Sequence, residues 1–158
     1  MADFDAASLS EHERAFLRAL NALGVRYLLV GMSAALLQGA RGATEDIDLW
    51  FESLSDPRIA DAAKSVGGVW VTRTQPRLLG GNAGDRWDVV TTMSGLPDFA
   101  AEYAAAPLMT IDDVQVRVLP LPRIIHSKRA ANRPKDRAVL PALESALRVI
   151  EALDREKG

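Results

Sequence analysis

Cysteine is absent from the 158 residues. A disulfide framework, a thiolate metal site and covalent catalysis by a thiol are therefore excluded. Charge of a single sign is lacking too, because 19 basic residues meet 21 acidic ones for a formal net charge of −2. That balance gives no global attraction to nucleic acid or to an anionic membrane, so any polyanion must be met by a local patch. No stretch approaches the ~18 continuous apolar residues of a membrane span. The start, Met1-Ala2-Asp3-Phe4-Asp5, has neither the basic nor the apolar region of a signal peptide. A cytoplasmic protein without membrane contact is the expectation. Histidine is scarce: His126 has no second histidine nearby to share a metal, and His12 belongs to the first helix.

What is present reads as an ordinary globular chain, 48% hydrophobic and 25% charged, with no repeat and no low-complexity segment. Its length predicts one domain over residues 1–158, with a core of about 25–120 and a helical part of about 121–158. Ser10 and Glu13 form a capping-box pattern that starts a helix, with Phe16, Leu17, Leu20 and Leu23 on its apolar face and Gly24 as its stop. Residues 25–30 read as a buried strand ending at Gly31, and residues 32–38 as a short helix closing at Gly39. A strand over Asp46–Phe51 follows, then a helix capped by Ser55 or Asp56 with Pro57 at its first position and Gly67-Gly68 at its end. Further strands are predicted over 69–72 and 86–91, separated by a glycine-rich turn through Gly80, Gly81, Asn82 and Gly84. A hairpin over 108–111 and 114–119 turns at Asp112-Asp113. From Leu121 onward the pattern is helical, broken at Asn132-Arg133-Pro134 and bent at Pro141. The order predicts an α/β (α+β) fold: a small mixed β-sheet flanked by helices, with C-terminal helices.

Chemistry concentrates on three aspartates. Asp46 and Asp48 are one residue apart on a strand, so their carboxylates share a face while Ile47 points to the other. Two such charges at ~4 Å repel by ~4 kcal/mol at an effective dielectric near 20, a cost that a divalent cation removes. Magnesium suits a sparse oxygen-only set, since it takes one or two carboxylates and completes its shell with water and phosphate oxygens. Asp88, between Trp87 and Val89 on another strand, is the third acid, and a charge in so apolar a strand needs a partner or a cation. Three acids would permit a two-ion site. Ahead of them, Gly31 turns a strand end into a helix start, where backbone N–H groups and the Ser33 hydroxyl offer donors to phosphate. Taken singly, each motif has a plainer reading: Asp-x-Asp as a solvated strand end, Gly31 and Ser33 as a helix cap, and the basic run from Arg123 to Arg137 as a solvated helix face. Trp50, Trp70 and Trp87 read as core or sheet-face residues.

The segment YLLVGMSAALLQGARGATEDIDLWF, residues 27–51, resembles the signature of the DNA polymerase β-type nucleotidyltransferase superfamily. It is most similar to small bacterial members related to the abortive-infection and toxin–antitoxin enzymes. A second segment, from Val116 to Arg129 followed by Asn132-Arg133-Pro134-Lys135-Asp136, is similar to that family's strand, basic helix and RPKD ending. The resemblance covers roughly residues 25–145. It implies that Asp46, Asp48 and Asp88 bind two magnesium ions and carry catalysis, and that Gly31, Ser33, Lys128, Lys135 and Asp136 bind or brace a nucleoside triphosphate such as ATP. It further implies transfer of a nucleoside monophosphate to a hydroxyl of a tRNA, a protein or a small molecule, with a cognate antitoxin as a partner. The chain departs from the pattern at Met32, which follows Gly31 where the family commonly has a second small residue, and at Val139, where the family often has an acid. The departure at Met32 favours the alternative, a catalytically degenerate binding or regulatory protein.

Overall fold

The computed structural model describes residues 9–71, 77–79 and 86–157, the backbone alone at 77–79. The predicted glycine-rich turn at 80–84 lies outside the described residues. Helix α1 runs over Glu11–Ala22 and opens on a complete capping box: the Ser10 hydroxyl accepts from Glu13 N–H at 3.1 Å, and the Glu13 carboxylate accepts from Ser10 N–H at 2.8 Å. Phe16, Leu17 and Leu20 form its buried face. Leu23 leaves that face: as the C-cap it is turned outward and 39% exposed, because the chain reverses into the left-handed Gly24.

Strand β1, Tyr27–Val30, is buried throughout, as its continuous apolar run requires. It pairs antiparallel with β2, Ile47–Phe51, which pairs parallel with β5, Trp87–Val90. The result is a small mixed sheet in the order β1-β2-β5. Between β1 and β2 the chain forms α2, Gly31–Leu37, and between β2 and β5 it forms α3, Pro57–Ser65, capped by Asp56, and a small antiparallel pair of β3, Val69–Val71, with β4, Arg77–Leu79. A helix unmarked by the sequence reading, α4 over Phe99–Ala105, starts where Asp98 accepts from Ala101 N–H at 3.3 Å.

The hairpin is present as β6, Leu108–Ile111, and β7, Val114–Arg117, turning through Asp112 and Asp113 at φ 53° and 73°. Beyond β7 the chain reaches the outer edge of β1: Val118 bridges Leu29, and Leu119 N–H donates to the Leu29 carbonyl at 2.9 Å. Helix α5, Leu121–Ala131, ends at the left-handed Asn132, and α6, Pro134–Lys157, begins almost at once. The predicted break at 132–134 is there. Pro141 does not end α6, which continues through it for the full 24 residues. The core between sheet and helices includes Phe16 edge-on to Trp87 at 5.2 Å between ring centroids and Trp50 edge-on to Phe99 at 5.0 Å. Among the described residues no helix is long and apolar enough to cross a membrane.

Candidate active site

Strand pairing brings the acids together. In the parallel register of β2 with β5, Asp48 stands directly opposite Asp88, so residues forty positions apart present their carboxylates side by side on one face. Burial, then the charge and hydrogen bond of Asp88, and then the charge of Asp46 push the Asp48 carboxyl up to about 7, against the opposing pull of Lys128. Asp46 lies just before β2, exposed, with the Thr44 hydroxyl 3.2 Å from its N–H and 3.3 Å from its carbonyl. Among the described residues no three acid or histidine side chains already stand close enough to hold one ion together.

Gly31 and Ser33 act on Asp48 from behind. Gly31 has φ 68°, and a Cβ there would fall 2.5 Å from the Asp48 carboxylate, so only glycine lets the β1–α2 turn pass this close. Ser33 is 0% exposed; its hydroxyl accepts from Asp48 N–H at 3.2 Å, lies 3.0 Å from the Val30 carbonyl and 3.5 Å from the Asp48 carboxylate. Its oxygen thus links β1 and β2, and the residue does not line the cavity.

The cavity lining is basic as well as acidic. Helix α5 contributes Ile124, Ser127, Lys128 and Ala131, spaced to fall on one helical face, and Arg133 and Lys135 follow at the α5–α6 junction. Gln38 sets the position of α5: its amide donates to the carbonyls of Ala34 and Leu119 at 3.0 and 2.9 Å, and its oxygen accepts from Leu121 N–H at 2.9 Å. Asp136 does not line the cavity and is 0% exposed. Its carboxylate is enclosed by Arg133, at 2.6 Å, and Lys128, at 3.4 Å. Burial alone would raise its carboxyl, but the hydrogen bonds from Arg133 and the Lys128 ammonium hold it down at about 2.

The cavity has a volume of about 620 Å³, and in its lining Gly31, Asp46, Asp48 and Asp88 are joined by Lys128, Arg133 and Lys135. Thr92, Met93 and Ser94 line it too, and the sequence reading missed them. No local pattern marks those residues. Their placement comes from Gly95, at φ 72°, whose carbonyl meets His126 Nε2 at 3.1 Å on α5. Arg133 was visible as a member of the basic run and of the Arg133-Pro134-Lys135-Asp136 segment, but with no role of its own.

The donor set fits magnesium. It is made of oxygen atoms only, it faces a cavity large enough for a polyphosphate, and the crowding that raises Asp48 is what a divalent cation relieves. The Asp48–Asp88 pair meets the one or two carboxylates that magnesium takes, and Asp46 also lines the cavity.

No protein-family model matches the chain, and no curated protein does. Solved structures do resemble it. The solution structure of the antibiotic-resistance factor ANT(2'')-Ia superposes with a TM-score of 0.55 at 17% identity, covering 92% of this chain and 90% of that one. The crystal structure of ANT(2'')-Ia in complex with adenylyl-2''-tobramycin gives 0.54 at 17%, covering 90% and 94%. An antigenic nucleotidyltransferase-like protein from Paracoccidioides brasiliensis gives 0.53 at 17%, covering 89% and 78%. Together with the acid-bearing mixed sheet and the C-terminal helices, these likenesses establish a nucleotidyltransferase-like α/β fold for this chain.

Proposed function

We propose that the chain is a magnesium-dependent nucleotidyltransferase, moving a nucleoside monophosphate from a nucleoside triphosphate to a hydroxyl acceptor. The observation that carries the reading is the register pairing of Asp48 with Asp88 in a cavity that Lys128, Arg133 and Lys135 also line. An acid pair sharing a cavity with a set of cations is suited to a ligand that brings divalent cations and polyphosphate together. In the reaction, the acceptor oxygen bonds to the α-phosphorus, the bond to the α–β bridging oxygen breaks, and pyrophosphate leaves.

Asp46, Asp48 and Asp88 would hold the metal, which when bound neutralises phosphate charge and orients the reacting oxygens. Asp88, the exposed member of the pair, would take the proton from the acceptor hydroxyl, a role its access to solvent supports. Lys128, Arg133 and Lys135 bind the triphosphate and balance the charge that builds on pyrophosphate as it departs. Gly31 keeps the turn beside Asp48 low enough for the ligand to approach.

The acceptor in our reading is a small hydroxylated molecule, a tRNA or a protein. The small molecule has the support of ANT(2'')-Ia, whose structure holds an adenylylated tobramycin. Membership of a toxin–antitoxin pair, with a cognate antitoxin, belongs to the same proposal and rests on the sequence resemblance alone. Calorimetric titration of magnesium with a panel of triphosphates tests the site: wild type is expected to bind, and Asp48→Asn to lose at least tenfold in affinity. Equal binding by both proteins rejects it. A second reading, binding without transfer, is favoured by Met32, which lines the cavity directly after Gly31. Tight nucleotide binding with no label transferred to tobramycin, total tRNA or cell extract would favour that one.

A further inference from the structure

We propose that Asp136 is a positioning residue, which acts through Lys128 and Arg133 to hold both cations on the cavity wall; the consequence for triphosphate binding rests on the function proposed above. Asp136 is the third residue of α6, and its Oδ2 accepts from Arg133 N–H at 3.0 Å, the contact by which an acid at that place caps a helix. Capping would require nothing more. The same carboxylate, however, also accepts from Arg133 Nε at 2.6 Å and from Arg133 Nη2 at 3.1 Å, and its Oδ1 lies 3.4 Å from Lys128 Nζ.

The side chain is fully buried, and a buried carboxylate is retained only where charged donors satisfy it. Both of its donors line the cavity, while Asp136 does not. Without an anion between them, Lys128 and Arg133 would repel each other and swing toward water. With it they form one unit of net charge +1, already aimed when a ligand arrives, so less side-chain freedom is lost on binding. Lys128 is thereby held against Asp136 while lining the same cavity as Asp48.

A capping role needs an acceptor, whereas a positioning role needs the negative charge, and Asp136→Asn separates them. The ligand-free protein is read first by ¹H–¹⁵N NMR, with the Arg133 Nε–H signal assigned through its loss in Arg133→Lys. Wild type is expected to show this proton protected from solvent exchange, and Asp136→Asn to lose the protection while keeping a dispersed backbone spectrum. Titration with the magnesium complex of ATP should then show about tenfold weaker binding for Asp136→Asn. The double variant with Lys128→Ala should lose less than the sum of the two single losses, since Asp136 acts in part through Lys128 and in part through Arg133. An unprotected Arg133 Nε–H in wild type overturns the proposal without any variant, even if Asp136→Asn fails to fold. Full additivity in the cycle, or unchanged affinity in a folded Asp136→Asn, overturns it as well. Failure of wild type to bind any triphosphate strikes the proposed function instead, and the ligand-free spectra still decide whether Asp136 holds the cations.

Discussion

Asp48 is where the conflict between folding and function is sharpest. Its carboxyl is raised to about 7 from an ordinary 3.8, so the folded state takes up a proton that the unfolded state has already released. The sign follows: the group opposes folding increasingly as pH rises from about 4 through 7, and the opposition is complete above that. Metal-free wild type is therefore expected to lose stability between pH 5 and pH 8, on the order of 2 kcal/mol for a half-buried group. Asp48→Asn should not show that loss, and urea unfolding at the two pH values with chelator present measures it. Asp136 has the opposite sign, because its folded value of about 2 lies below the ordinary one, so it stabilises the fold above pH 4 and loses that contribution as pH falls toward 2. The acids were legible in the sequence as residues with something to do. Which of them faces a cavity and which is enclosed by cations was not, because that depends on side chains from α5 and the α5–α6 junction.

At the scale of elements, the site depends on where β5, α5 and the loop between β5 and α4 meet. Glu13 ties α1 to the residue before β5: its carboxylate accepts from Arg86 at 2.6 and 2.8 Å while still completing the α1 capping box. The loop holding Thr92, Met93 and Ser94 is fixed at Gly95, where a Cβ would lie 2.8 Å from Ala130 Cβ and 3.0 Å from His126 Nε2. Gly39, also at positive φ, has nothing within 4 Å of such an atom. Alanine at either position meets the same backbone strain, roughly 1–3 kcal/mol. Only Gly95→Ala must also lift the loop off α5. We expect both variants to be destabilised in denaturant titrations, and triphosphate affinity to fall several-fold in Gly95→Ala alone; equal affinities would show that the loop takes no part in binding. Helix α4 escaped the sequence reading because Gly95-Leu96-Pro97-Asp98 reads as a turn and only seven residues follow before the chain extends again. Its cap, Asp98, was the one signal available.

For the whole molecule, binding and folding are linked. If magnesium and triphosphate join at the acid pair and the basic wall, neither alone should stabilise the protein as the two do together. At about a hundredfold excess of free ligand over its Kd, the complex adds about 2.7 kcal/mol to stability. For a domain of this size that is a Tm rise of roughly 5–10 °C. Thermal melts should show the rise in wild type only with both present, and Lys128→Ala should lose most of it; a rise of the same size with triphosphate and chelator would argue against a metal-bridged site. The amino-acid order alone settled the local features: the capping box at Ser10 and Glu13, the buried run of β1, the hairpin at Asp112-Asp113 and the break at Asn132, because caps, periodicity and turn chemistry act over a few residues. Tertiary structure alone decided that β5 lies parallel beside β2 in the register that faces Asp88 to Asp48, that Ser33 turns its hydroxyl inward and that Asp136 lies behind two cations. Those outcomes come from packing between segments distant along the chain, and a strand's own residues do not state which neighbour, direction or register it will take.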